Sequence, residues 1–310
     1  MLVLAVLEEL ESHERVTLRS RHVVGRGSIA HLQLQDRRVS NEHAVFSWSG
    51  SAWVLRDLQS RNGTWMDGEQ LQPGLPMPVR VGSVLSFGAL GLRWRVVSTD
   101  PPVAMAIPVS GGAPVIATFG MLALPDSESV EVSVYRNGEG GWISERGDEV
   151  RPAADQEVLV LSEGAWTLDL PLLSDVTVDS SQSIPPRLDE VGLAFAVSRD
   201  QEYVEVEVLY NNQRLPLRPR ADLELLLQLA RLRIQDQEGS EVPESERGWV
   251  YRDELLKMLA ISENTLHQRV FRAREQLARV GIDSAAGVVE RRLPTGQIRI
   301  GVSHLTVRDL

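Results

Sequence analysis

Three short polar clusters, well separated in the chain, carry side chains suited to holding a phosphate dianion. They are Gly25-Arg26, Ser40-Asn41-Glu42-His43, and Ser60-Arg61-Asn62-Gly63-Thr64-Trp65 with Gly68 after it. Arg26 offers a planar fork of N–H donors that can meet two oxygens at once. Ser40 adds a hydroxyl donor, and loop backbone N–H groups can add more. Asn62 can present both a donor and an acceptor to a peptide main chain. A second set lies in the last third of the chain. Thr265, Gln268, Arg269, Arg272, Arg274 and Arg279 fall in one candidate helix, and Arg291 and Arg292 in a candidate hairpin. Arginine and glutamine are side chains that read base edges and contact phosphates.

The elements that must position the first set read as strands. Val23-Val24, Leu32-Gln33-Leu34, Ala44-Val45-Phe46, Trp53-Val54-Leu55, Val84-Leu85-Ser86-Phe87 and Leu92-Arg93-Trp94-Arg95-Val96 are short β-prone runs separated by Gly, Asn, Asp, Ser and Pro. Closely spaced short strands predict a β-sandwich. Each polar cluster falls where a strand meets a loop, so all three can converge at one end of it. Gly25-Arg26-Gly27-Ser28-Ile29-Ala30 also fits the dinucleotide fingerprint G-x-G-x-x-A. That fingerprint must open a helix, whereas His31-Leu32-Gln33-Leu34 alternates like a strand, which excludes it.

These clusters, in this order and with these intervening strands, resemble the forkhead-associated (FHA) domain over residues 1–98. The resemblance implies an eleven-stranded β-sandwich that binds phosphothreonine peptides through its loops. It implies that Arg26 and Ser40 hold the phosphate, that Asn41 and Arg61 support the phosphate or flank the peptide, and that Asn62 hydrogen-bonds the peptide main chain. His43, Gly25 and Gly63 match architectural positions, with His43 bracing a loop and not touching ligand.

From Ser98 to Pro114 the composition shifts to Pro, Gly, Ala and Ser, which predicts a linker. Residues 115–180 are again strand-like and partly repeat the first domain. The stretch Ala44 to Val54 matches Ser133 to Ile143, 89 residues later, and Val84 to Gly88 resembles Val158 to Ser162. The shortening falls around Ser60 to Gly68. The expectation is an abbreviated FHA-like module without equivalents of Arg26, Ser40 and the Asn62 loop. It would serve as a spacer or a protein-docking surface. The net charge of -11 is concentrated here, since residues 101–214 carry 19 acidic and 6 basic side chains. An anion is therefore expected at either end of the chain and not in the middle.

A polar stretch from Asp179 to Asp189 precedes the last domain, residues 190–310. Val191 to Val197 and Val204 to Leu209 read as strands, and Pro219 to Ile234 and Arg247 to Ala260 as helices. A third helix runs from an Ser262 cap to about Val280, stopped by Gly281, and Val288 to Ile300 reads as a hairpin. At about 100° per residue, Leu266, Val270, Ala273, Leu277 and Val280 form the core face of the third helix. Gln268, Arg272 and Arg279 lie roughly opposite, with Thr265 and Arg269 to one side.

A small sheet, three helices and a terminal hairpin resemble the winged helix of the OmpR/PhoB-type effector domain. The resemblance implies that the third helix enters a DNA major groove, that Arg274 contacts the DNA backbone, and that Arg291 and Arg292 reach phosphates or the minor groove. Against it, residues 215–310 carry 15 basic and 14 acidic side chains, and Glu275 stands where the family usually has a basic side chain. The fold class expected is thus a mainly β multidomain chain with an α+β winged helix at its end.

The chain has no cysteine, which excludes disulfides and thiolate chemistry. His13, His22, His31, His43, His267 and His304 show no metal spacing, and no Walker, kinase or nucleophile-elbow motif occurs. No enzyme activity and no cofactor are expected. The apolar run from Met1 to Leu7 is short and lacks a basic leader, so a cytoplasmic, membrane-free protein is expected. FHA and winged-helix pairs occur among bacterial regulators. The expected function is a regulator of transcription that recognises a threonine-phosphorylated protein or peptide downstream of a Ser/Thr kinase and binds double-stranded DNA. The alternative is a phosphopeptide-dependent adaptor whose winged helix binds protein.

Overall fold

The computed structural model describes residues 4–137, 140–171, 185–201, 203–239, 242–292 and 295–310. The chain divides into two compact units. One comprises Met1–Ala104 with Asp169–Asp179, the other Met105–Leu168 with Ser180–Leu310. No helix among the described residues is long and apolar enough to cross a membrane.

The first unit holds strands β1 (Val6–Glu9), β2 (Arg15–Thr17), β3 (Arg21–Gly25), β4 (Leu32–Gln33), β5 (Ala44–Trp48), β6 (Trp53–Asp57), β7 (Thr64–Met66), β8 (Glu69–Gln70), β9 (Met77–Pro78), β10 (Val84–Phe87) and β11 (Arg93–Ser98). They form a six-stranded sheet in the order β2-β1-β11-β10-β7-β8 and a five-stranded sheet in the order β4-β3-β5-β6-β9. Between them lie Leu7, Val24, Phe46, Trp53, Leu55, Leu85, Phe87 and Trp94, all buried. Alternation explains the inward set. Along β6, Trp53, Leu55 and Asp57 point in, so the last inward position of this strand is a carboxylate and not an apolar group.

His22, in β3, is buried, and its Nε2 has no hydrogen-bond partner. Burial, then the neighbouring His31 and Arg19, push its pKa down to about 3. An unfolded chain binds that proton near pH 6.5. This stability is therefore complete above pH 6.5 and is lost as pH falls toward 3. From His22 alone the loss between pH 7 and pH 5 is about 2 kcal/mol. The melting temperature of this unit is expected to fall by roughly 10 °C over that range. Calorimetry at pH 7, 6 and 5 checks this, and a flat profile would mean that the folded His22 takes up its proton normally.

The second unit begins with β12 (Met105–Pro108), β13 (Val115–Ile116), β14 (Leu122–Leu124), β15 (Val132–Arg136), β16 (Trp142–Arg146), β17 (Glu149–Pro152), β18 (Val158–Leu161) and β19 (Gly164–Asp169). Strand β12 corrects the linker expected over Ser98 to Pro114, because Met105 and Ala106 are buried and pair with β13. The two four-stranded sheets run β13-β12-β19-β18 and β14-β15-β16-β17. The first has the same order as β2-β1-β11-β10, and the second the order of β3-β5-β6-β9, with no strand among the described residues at the places of β4, β7 and β8. The end of the module expected over 115–180 lies outside the described residues from 172 onward, as does most of the polar stretch after it.

The rest of this unit contains β20 (Gly192–Val197), β21 (Val204–Tyr210), β22 (Gln213–Pro216), α1 (Asp222–Glu238), β23 (Val250–Tyr251), α2 (Arg252–Leu259), α3 (Glu263–Arg279), β24 (Val289–Arg292), β25 (Gln297–Ile300) and β26 (His304–Asp309). A four-stranded sheet runs β22-β21-β20-β26, with β26 parallel to β20, and a three-stranded sheet runs β23-β25-β24. Leu193, Phe195, Val206, Leu226, Leu255, Leu266, Val270 and Ile300 share one core. Two helix boundaries differ from the sequence expectation. Helix α1 starts at Asp222 and not at Pro219. Helix α2 starts at Arg252 and not at Arg247, because Val250 and Tyr251 pair with β25 as a strand. Ser262 caps α3 as expected, its side chain accepting from the Thr265 N–H at 3.2 Å.

Candidate functional site

The three polar clusters of the first unit meet at Ser40. The Arg26 N–H donates to the Ser40 carbonyl at 2.8 Å and the Gly27 N–H to the Asn41 carbonyl at 3.0 Å, joining the first two loops. The Arg61 N–H donates to Ser40 Oγ at 3.1 Å, joining the third. A hydroxyl that accepts this bond still has its own proton to donate, and Ser40 is only half-buried. Arg26, Asn41, Arg61 and Asn62 are exposed. Arg26 Nε reaches the Val39 carbonyl at 3.4 Å, and the Asn62 amide donates to the Arg38 carbonyl at 2.8 Å. Arg38 itself is held by Asp36 at 2.6 Å. Asn62 thus stands at the rim, anchored through its nitrogen.

Beneath this rim the loops are braced by groups without solvent exposure. His43 Nδ1 accepts from the Ser40 N–H at 3.0 Å, and Nε2 donates to the Gly63 carbonyl at 2.9 Å. The ring also packs edge-on against Phe87, with centroids 6.0 Å apart. Burial lowers the His43 pKa, against the opposing pull of the Gly63 carbonyl and Asp57. A neutral imidazole suits this two-sided role, since one nitrogen must accept and the other donate. Gly25 lets the first two loops approach, because a Cβ there would lie 2.1 Å from the Asn41 carbonyl oxygen. Gly63 has φ +91, a conformation that favours glycine.

Asp57 is the organising residue that sequence reading passed over. Its carboxylate, fully buried at the end of β6, accepts from the Ser60 N–H at 2.9 Å, Ser60 Oγ at 2.7 Å and Thr64 Oγ1 at 2.6 Å. Ser60 Oγ in turn accepts from the Gly63 N–H at 2.9 Å. The only advance signal was an aspartate in register with Trp53 and Leu55, three residues before a serine.

The second candidate set is not a free cationic face. Arg274, 3% exposed, places Nη1 2.7 Å from Glu145 of β16 and Nε 2.8 Å from the Ala286 carbonyl. Arg291 Nη2 lies 2.6 Å from the same Glu145, and Nη1 donates to the Gly147 carbonyl at 2.9 Å. Arg272 pairs with Glu128 at 3.0 Å, and Arg279 pairs with Glu275 and lies over Phe119. Arg269 pairs with Glu224, and Arg292 with Glu246 while stacked on Trp249. Thr265 Oγ1 is 2.9 Å from Ser262 Oγ, and Gln268 is half-buried. The expectation that Arg274 and Arg291 face a nucleic acid is corrected for this conformation: both are enclosed and neutralised. The stripe His267, Phe271 and Arg274 on α3 is buried beside the core face that periodicity predicted.

Comparison with known proteins bears on the first unit. Residues 22–88 match the family model of the FHA domain. The FHA domain-containing protein FhaB of Mycobacterium tuberculosis is 32% identical over 93 residues, 30% of this chain and 59% of that protein. FhaB of Mycolicibacterium smegmatis is 34% identical over 87 residues, 26% of this chain and 56% of that one. The chain thus spans less than two thirds of the length of these relatives. A structure solved in a study of phosphothreonine-dependent FHA domain interactions is 28% identical, covers 32% of this chain and 99% of that one, and has a TM-score of 0.29. A crystal structure of the FhaA FHA domain in a complex is 29% identical, covers 30% of this chain and 98% of that one, and has a TM-score of 0.27. With the family match falling on the loops that converge at Ser40, residues 22–88 are a forkhead-associated domain.

Proposed function

We propose that the chain is a phosphothreonine-peptide-binding signalling protein acting downstream of a Ser/Thr kinase, with a winged helix as its transcriptional output. The observation that carries the first half is the junction at Ser40. It brings an exposed guanidinium, a hydroxyl with its proton to spare and an anchored asparagine to one rim. Such a rim recognises a dianion on an extended peptide by charge-assisted hydrogen bonds. For the second half, the order sheet, α1, α2, α3 and hairpin, with α3 amphipathic, supports the resemblance to OmpR/PhoB-type effectors. This reading assigns the chain no catalytic step, no cofactor and a cytoplasmic place. One observation favours the adaptor as a second reading: Arg272, Arg274 and Arg291 already hold protein carboxylates.

The test is capture of a peptide library by the full chain, in phosphothreonine, phosphoserine and unphosphorylated forms. Retention of the phosphothreonine set alone is expected. Equal retention of the unphosphorylated set would overturn the reading.

A further inference from the structure

The junction between the strand module of residues 105–168 and α3 with β24 is built from charge. Glu145, fully buried on β16, accepts from Tyr135 Oη at 2.7 Å and meets Arg274 and Arg291 at 2.7 and 2.6 Å. His267 Nδ1 lies 3.6 Å away. Burial alone would raise the Glu145 carboxyl, but Arg274, His267 and Arg291 together hold it well below the usual carboxylate range. Around this centre Glu128 takes Arg272, Asp148 takes Arg252 and lies 3.8 Å from Arg291, and Phe119 covers Arg279. The strand module thus contacts Arg272, Arg274, Arg279 and Arg291, four of the six arginines proposed for nucleic acid. The strand module carries 10 acidic and 3 basic side chains, the charge balance that suits such a face.

The apolar part of this junction is small. Phe271 of α3 packs with Met121, Ala123, Val130 and Tyr135, whereas the helices and sheets behind α3 share a far larger core. Two cavities, about 500 and about 350 Å³, open where the two parts meet, the larger lined by Tyr135, Arg274 and Arg291 among others. Buried ion pairs give a junction little net stability, and they leave a strong penalty when one partner is lost. A junction of ion pairs, few apolar contacts and cavities is one that can separate.

We infer that the acidic strand module is a releasable cap on the α3–β24 face, latched by Glu145. This rests on the reading of that face as nucleic-acid-binding for its consequence, but not for its geometry. A spacer would not put a fully buried carboxylate between two arginines of α3 and β24. While the cap is on, the carboxylates occupy the guanidinium groups that phosphates would take, so the capped chain binds duplex DNA weakly.

The experiment compares the full-length wild type with Glu145→Gln and with the double variant Glu128→Arg/Asp148→Arg. The second pair of residues is 80% and 65% exposed, so the double variant weakens the cap without burying anything new. Two readouts are taken. The first is the rate at which phenylglyoxal labels Arg274 and Arg291, followed by mass spectrometry. The second is affinity for random-sequence duplex DNA at two salt concentrations. The cap predicts labelling at least ~10-fold faster in both variants: in Glu145→Gln because the two buried guanidinium groups lose their carboxylate, and in the double variant because the new arginines repel Arg272, Arg252 and Arg291 at the edge of the junction. DNA affinity is expected to rise by a similar factor and to fall steeply with salt. Labelling equally fast in wild type and variants, or equally slow in all three, would overturn the cap. So would measurable DNA binding by the wild type with the same affinity as the unlabelled variants. Faster labelling without any DNA binding would keep the cap and remove the nucleic-acid reading, leaving the adaptor.

Discussion

Replacing Arg26 with alanine is expected to weaken phosphothreonine-peptide binding by at least about 100-fold while leaving the fold intact. The loss follows from the chemistry of the fork. Each hydrogen bond between a guanidinium and a phosphate is worth about 1.5–3 kcal/mol, and a bidentate pair supplies two. The intact fold follows from the surroundings. Arg26 is exposed, and the backbone N–H that ties its loop to the Ser40 carbonyl is kept in any substitution except proline. A melting temperature within about 2 °C of wild type is therefore expected. Arg26→Lys should fall between the two, because a lysine keeps the charge but loses the planar fork. Titration calorimetry with a captured peptide, alongside a thermal melt, measures both. Wild-type affinity in Arg26→Ala would remove Arg26 from the site and leave the rim without its main cation.

The rim was legible because each of its residues is constrained locally. Tight loops need Gly25 and Gly63, and strands of alternating pattern lie between them, so the meeting of the three loops at one rim could be read in advance. Those requirements act over a few residues each, so spacing along the chain carried them. The supports beneath the rim were legible only in part. His43 was readable as a brace from the family likeness, but its two partners, the Ser40 N–H and the Gly63 carbonyl, are set by the third dimension. Asp57 was hidden because an aspartate at a strand end reads as an ordinary turn residue. The same limit applies at α3. A helical wheel separates the face of Leu266 and Val270 from the rest, but it cannot say that a second protein surface covers His267, Phe271 and Arg274. The pairing of Glu145 with Arg274 joins residues far apart in the chain, and no periodicity encodes it. The acidic excess of the middle third was visible in the composition, and its partner face was not.

Asp57→Ala is expected to damage stability and binding together, unlike Arg26→Ala. The carboxylate takes three donors, the Ser60 N–H, the Ser60 hydroxyl and the Thr64 hydroxyl, in a place without solvent. Removing it strands the Thr64 hydroxyl, which is itself fully buried, and frees Ser60 to turn away from the Gly63 N–H. Leaving buried donors unmatched costs about 1–3 kcal/mol each, so a loss on the order of 3 kcal/mol is expected. For a domain of this size that lowers the melting temperature by roughly 10–20 °C. Ser60 to Gly63 also carry Arg61 and Asn62, so phosphopeptide affinity should drop at least ~10-fold even at temperatures where the variant is folded. Asp57→Asn separates the two effects. It keeps the shape and one acceptor oxygen, and the hydroxyls can rotate to accept from its amide, while the Ser60 N–H still needs the oxygen. Its melting temperature should therefore lie between those of wild type and alanine, with affinity near wild type. If Asp57→Ala binds and melts like the wild type, the third loop is held by the His43 bridge alone.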